Sequence, residues 1–124
     1  MSDPAVAPLG RLVIYTKKID EMADFYARHF GYEVRRAPGD RIVELAPTGT
    51  GAAIMLHPAT AKQKEGQALV KLVFDVEDVA GFCALAAEKG LVFGKTHQAN
   101  GYAFANTKDP GGNSIQVSSR AYRT

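Results

Sequence analysis

Branched and aromatic residues fill positions 11 to 16, which predicts a strand. Alternation along it sets Leu12, Ile14 and Thr16 on one face and Arg11, Val13 and Tyr15 on the other. From Ile19 the period changes. Ile19, Met22, Ala23, Tyr26 and Phe30 recur at the spacing of one buried helical face. Asp20 and Glu21 occupy the first turn, where the helix dipole favours acids, and Gly31 supplies a stop. Three more strands are predicted at 32–36, 41–45 and 52–57, separated by Pro38-Gly39-Asp40 and by Pro47-Thr48-Gly49-Thr50-Gly51.

A polar stretch follows, and then the same order returns. A strand at 70–76 leads into a helix with Val79, Phe82, Cys83 and Ala86 on one face, Asp78 as its N-cap and Gly90 as its stop. Short strands are expected at 91–94, 101–106 and 114–118, the last two joined by Asp109-Pro110-Gly111-Gly112-Asn113. Each half therefore reads β-α-β-β-β, and a repeat of this length must be settled before any other feature. The expectation is an α+β fold: two tandem βαβββ modules forming a cup-shaped mixed sheet with the helices outside. The boundaries follow as a lead at 1–9, a single domain at 10–119 (module one 10–58, linker 59–69, module two 70–119) and a tail at 120–124.

The repeat also selects candidate site residues. Leu72, Phe74 and Val76 share an apolar face, and Lys71, Val73 and Asp75 share the other; Ile54 and Leu56 oppose Met55 and His57; Ile115 and Val117 oppose Gln116 and Ser118. The apolar faces must carry the helices. What remains is a more polar cup surface holding Arg11, Tyr15, Met55, His57, Lys71, Asp75, Gln116 and Ser118, and a concavity with a few convergent polar groups is a binding-site candidate. Tyr102 and Phe104 alternate onto one face of the penultimate strand, as a ligand wall or as core. The pseudo-twofold brings Arg11 and Lys71 together, and two like charges about 4 Å apart repel by about 4 kcal/mol at an effective dielectric near 20. Something negative is therefore expected beside them: Glu44, Asp75 or a partner's carboxylate in a structural reading, an anionic ligand in a functional one.

Composition narrows the classes. A net charge of +2 with scattered Lys and Arg gives no basic stripe, so nucleic acid is not an expected partner. Cys83 is the only cysteine, which rules out an internal disulfide and a cysteine zinc motif. The first eight residues lack the basic start and apolar core of a signal peptide, and no apolar run reaches the ~20 residues of a membrane span, so a cytoplasmic protein with no membrane partner is expected. The Ser residues of the last strand have no base beside them, and the glycine pairs sit in hairpins, not before a helix.

Residues 19–26 with Phe30-Gly31-Tyr32, the segment Val76-Glu77-Asp78-Val79, and above all Asp109-Pro110-Gly111-Gly112-Asn113-Ser114-Ile115 resemble the vicinal oxygen chelate superfamily. That family includes glyoxalase I, bleomycin-resistance proteins and extradiol dioxygenases. In its metal-using members, four His, Glu or Gln side chains from the first and last strand of each module hold a divalent ion. The resemblance carries those four positions onto Arg11, Met55, Lys71 and Gln116. Arg and Lys are cations and cannot ligate, and Met suits soft metals, so only Gln116 fits.

No metal and no cofactor are expected on this ground. The resemblance then implies a homodimer that binds a small anionic or neutral aromatic molecule in a basic cleft through Arg11, Tyr15, Met55, His57, Lys71, Gln116, Tyr102 and Phe104. The alternative is a lyase or isomerase acting on a small carbonyl or carboxylate substrate. His57 or Tyr15 would serve as base and the two cations would stabilise an enolate, with metal assistance through a displaced site as a variant. A module whose sheet edge or cleft only mediates dimerisation is a third reading.

Overall fold

Eight strands and two helices appear in the order the repeat predicts, in a computed structural model that describes residues 7–123. Module one comprises β1 (Arg11–Thr16), α1 (Ile19–Phe30), β2 (Glu33–Arg35), β3 (Val43–Ala46) and β4 (Ala53–Pro58). Module two comprises β5 (Lys71–Asp75), α2 (Val79–Glu88), β6 (His97–Gln98), β7 (Ala103–Lys108) and β8 (Ser114–Ser118), followed by a 3₁₀ turn at Arg120–Tyr122. The strands form two four-stranded sheets of identical topology, β1-β4-β3-β2 and β5-β8-β7-β6. In each, the first strand runs parallel to the last and the remaining pairs are antiparallel. The first strands, β1 and β5, are both sheet edges.

Register makes the internal symmetry residue-specific. Val13 lies opposite Met55 as Val73 lies opposite Gln116, and Glu44 lies opposite Met55 as Asn106 lies opposite Gln116. Arg11 and Lys71 are thus equivalent, as are Glu44 and Asn106.

Helix α1 forms for the reasons its pattern gives: Met22 and Tyr26 are fully buried, and Gly31 ends it in the left-handed conformation at φ 72°, which a side chain would strain. In α2 the carboxylate of Asp78 accepts the Gly81 backbone N–H at 3.0 Å. One apolar core serves both modules. Met22, Tyr26, Leu45 and Leu56 of module one pack with Ile115, Leu91 and Ala86 of module two. At the joint, the Phe30 ring stacks on Phe74 with centroids 4.0 Å apart and stands 5.8 Å from Phe82.

The linker is tied at both ends. Ala59 donates its N–H to the Thr16 carbonyl at 3.0 Å. Gly66, at φ 76°, lies so close to the carbonyls of Gly111 and Gly112 that a Cβ there would approach both at 3.2 Å. The hairpin it meets is built on the buried carboxylate of Asp109. That group accepts from Tyr26 Oη at 2.7 Å, from the backbone N–H groups of Gly111 and Asn113, and from the Asn113 side chain.

One predicted strand is corrected. Residues 91–94 form no ladder; the short strand of that region is His97–Gln98, paired with Phe104 and Ala103. The run Leu91-Val92-Phe93 is apolar because Leu91 is buried and Phe93 packs edge-on to Phe82, not because it pairs as a strand. Most of the predicted lead at 1–9 lies outside the described residues. The expected tail carries the 3₁₀ turn, whose Arg120 N–H bonds to Ser118 Oγ and helps bury it, so Ser118 is covered where the cup reading exposed it. No helix among the described residues is long and apolar enough to cross a membrane.

Candidate functional site

Each sheet turns one face to the core and leaves the other free of helices. The eight candidate residues divide between those free faces, four to a module, and no hydrogen bond, ion pair or ring contact among the described residues joins the two sets. On module one, Arg11, Tyr15, Met55 and His57 share the face. The Tyr15 and His57 rings stand 4.9 Å apart, and both residues remain partly exposed. His57 Nδ1 lies 2.9 Å from the Pro58 carbonyl. A carbonyl only accepts, so Nδ1 carries the proton and, in the neutral ring, Nε2 is the open acceptor.

Arg11 does not stand unneutralised. Its Nε donates to Glu44 Oε1 at 3.2 Å, reaching diagonally from β1 over β4 to β3. This is the structural reading of that cation, with the carboxylate that the sequence offered.

Module two resolves differently. Lys71 Nζ donates to Asn106 Oδ1 at 3.2 Å, and Gln116 Nε2 donates to the same oxygen at 3.0 Å. A lysine can only donate, which fixes the orientation of the Asn106 amide. No carboxylate lies within ion-pair distance of Lys71 among the described residues. The symmetry-related cations therefore differ in kind: one is neutralised by an acid, the other is held by an amide and keeps its charge. Lys71 also lines a cleft of about 640 Å³ beside the β5 edge, together with Val73, Asp75, Leu12, Tyr32 and Tyr122. Arg11 is not among the cleft-lining residues.

Tyr102 and Phe104 lie on the free face of module two with ring centroids 6.0 Å apart. Both are partly exposed, so neither is ordinary core. His97, expected in a loop, stands in β6 and stacks on Phe104 at 5.0 Å with ring planes 21° apart. Sequence reasoning missed Asn106 and the place of His97 beside Phe104. Asn106 follows Phe104 by two positions and shares its face by alternation; nothing in the sequence marked His97 as strand-paired. It also missed Arg120 and Arg123, whose guanidinium carbons stand 5.2 and 5.6 Å from the Tyr102 ring centre.

The four positions at which the resembled family holds a divalent ion do not fit one here. Two carry cations, one a thioether, and the amide of Gln116 is engaged with Asn106. Among the described residues, no three His, Cys, Asp or Glu side chains come together as a possible alternative ligand set. Burial pushes the Cys83 thiol pKa up, which keeps it protonated and a poor nucleophile. Burial, then the charges of Arg28 and Lys89, lower the pKa of His29 on α1, which favours its neutral form.

Comparison with solved structures recovers the same architecture. TnmS3, described as an antibiotic binding protein from Streptomyces sp. CB03234, superposes with a TM-score of 0.77 at 21% identity, over 93% of this chain and 97% of that one. A superfamily member from Sphaerobacter thermophilus DSM 20745 gives a TM-score of 0.73 at 20% identity, over 91% and 97%. In sequence, the uncharacterized protein YetH of Bacillus subtilis (strain 168) is 22% identical over 113 residues, 87% of this chain and 94% of that protein. The profile of one family matches residues 9–117, nearly all of both modules. With the duplicated βαβββ topology and the Asp109–Asn113 hairpin, that match makes this chain a member of the Glyoxalase/Bleomycin resistance protein/Dioxygenase superfamily.

Proposed function

We propose that this chain is a metal-independent binding protein that takes a small anionic or neutral aromatic molecule on the free face of module two and in the adjoining cleft. The observation that carries the reading is Lys71: a cation at the cleft wall, held by the Asn106 amide at 3.2 Å and, among the described residues, with no carboxylate at ion-pair distance. A positive group without an ion-pair partner beside half-exposed aromatic rings favours an anion or an electron-rich ring. The replacement of metal ligands by Arg11, Met55 and Lys71 supports independence from an ion. The antibiotic-binding description of TnmS3 supports small-molecule binding on this fold.

A homodimer belongs to the same proposal. Both free sheet edges carry exposed apolar side chains, Val13 and Tyr15 on β1, Val73 on β5, with Val70 and Leu69 just before it. Unpaired edges with apolar side chains are liabilities that a second copy removes.

The test is thermal denaturation in phosphate and in benzoate. Both anions should raise the melting temperature of the wild type and of Arg11→Ala, and Lys71→Ala should cut the rise by half or more. A rise undiminished in Lys71→Ala refutes the assignment of the cation. A full equivalent of zinc, nickel or iron per chain after purification without chelator refutes metal independence, and a monomeric mass by light scattering refutes the dimer.

A further inference from the structure

Cations bracket the free face of module two at both ends, and the end away from Lys71 is built by the C-terminal turn. Arg120 Nη1 donates to Tyr102 Oη at 3.1 Å, and its guanidinium carbon lies 5.2 Å from the ring centre. The guanidinium of Arg123 lies 5.6 Å from the same centre. Neither arginine has a carboxylate within ion-pair distance among the described residues. Among the described residues, two exposed cations thus converge on one tyrosine with no carboxylate at ion-pair distance. The ring and the phenol hydroxyl orient them, and most of their N–H donors stay open.

From there an aromatic strip runs along the face: Tyr102, then Phe104, with His97 stacked on Phe104. Asn106, two residues further along β7, ends the strip and holds Lys71. At roughly 3.3 Å per strand residue, the two cationic ends stand on the order of 13 Å apart along the backbone, enough for a flat ring system with a polar group at each end.

Resting on the binding reading above, we infer that the ligand is a flat aromatic acid lying along β7. Its carboxylate sits on Arg120 and Arg123, its ring lies against Phe104 and His97, and a second anionic or polar group meets Lys71 and Gln116. The 3₁₀ turn is then part of the site. It places Arg120 and Arg123 at one end of the strip, while Tyr122 between them lines the cleft that Lys71 shares. Arginine suits the carboxylate end because its planar fork can hold both oxygens at once, which a lysine cannot.

Calorimetric titration of the full chain with naphthalene-2,6-dicarboxylate, and with the neutral naphthalene-2,6-dimethanol, tests the assignment. The dicarboxylate should bind the wild type at least tenfold more tightly than the diol. The Arg120→Ala/Arg123→Ala pair should weaken the dicarboxylate tenfold or more and leave the diol within twofold. Arg120→Lys/Arg123→Lys, which keeps both charges, should recover less than half of that loss in free-energy terms. Both arginines are exposed, so the unliganded melting temperature of each variant should match the wild type and exclude misfolding. Dicarboxylate binding that depends on Lys71 but is unchanged in the double-alanine variant overturns the arginine clamp and leaves the binding reading standing. Failure of both naphthalenes and of benzoate to bind the wild type overturns the two together.

Discussion

Tyr26→Phe removes a single oxygen from the centre of the fold, and its effect can be worked out in advance. The phenol is fully buried, and its hydroxyl donates to Asp109 Oδ2 at 2.7 Å. After the substitution Asp109 still accepts from the Gly111 and Asn113 backbone and from the Asn113 side chain, so the carboxylate loses one bond and is not stranded. A hydrogen bond to a charged acceptor contributes roughly 1.5–3 kcal/mol, so the expected loss is about 2 kcal/mol. For a chain of this size that lowers the melting temperature by roughly 8 °C.

The pH dependence sharpens the test. Burial first, and then the neighbouring Asp109 carboxylate, push the Tyr26 pKa far above the ordinary tyrosine range. The unfolded chain releases that proton near pH 10, whereas the folded chain keeps it. Above pH 10 the unfolded state therefore binds fewer protons, and stability falls as pH rises, by ~1.4 kcal/mol at pH 11 from this group alone. The phenylalanine variant lacks that term. Urea unfolding at pH 7 and pH 11 should thus show a gap of about 2 kcal/mol that narrows to under about 1 kcal/mol. A gap below about 0.5 kcal/mol at pH 7, or one that stays constant up to pH 11, refutes the role given to this bond.

Two further outcomes follow from the packing. Phe30→Ala removes the ring that joins the modules through Phe74 and Phe82 and should cost about 3 kcal/mol in chemical denaturation, against under about 0.5 kcal/mol for the exposed Leu85→Ala; a cost under about 1 kcal/mol for Phe30→Ala would mean the modules are joined elsewhere. Gly81→Ala gains about 1 kcal/mol of helix propensity, but its new methyl meets the Asp78 carboxylate that caps α2, so the wild-type background should show little net change. In an Asp78→Ala background the same substitution should stabilise by about 1 kcal/mol, and equal effects in both backgrounds would disprove the coupling.

The repeat was legible because apolar periodicity reports burial directly. The strands at β1, β5 and β8 and the buried faces of α1 and α2 all follow from it. It misplaced the second strand of module two because burial and pairing are different properties: Leu91 and Phe93 fill the core without a ladder, while the polar pair His97–Gln98 forms one. The site was half legible for a related reason. Alternation found Arg11, Lys71 and Gln116, and Glu44 is one of the acids expected near the cations; that Glu44 meets Arg11 while Asn106 meets Lys71 follows only from the pairing of β3 and β7 with the last strands. Arg120 and Arg123 escaped notice because a short turn after the last strand has no periodicity to read.

That register has an evolutionary consequence. A duplicated module gives each strand position a structural twin, so one copy can be retuned while the other preserves the framework. The different settings of the twin cations Arg11 and Lys71 rest on one pair of twins, the acid at Glu44 and the amide at Asn106. Asn and Asp are among the smallest steps available to a mutating gene. On the binding reading proposed above, Asn106→Asp would give Lys71 the kind of partner that Arg11 already has and weaken the hold of that end of the face on an anion. Selection therefore has a one-residue dial on ligand charge, set apart from the core that holds both modules together.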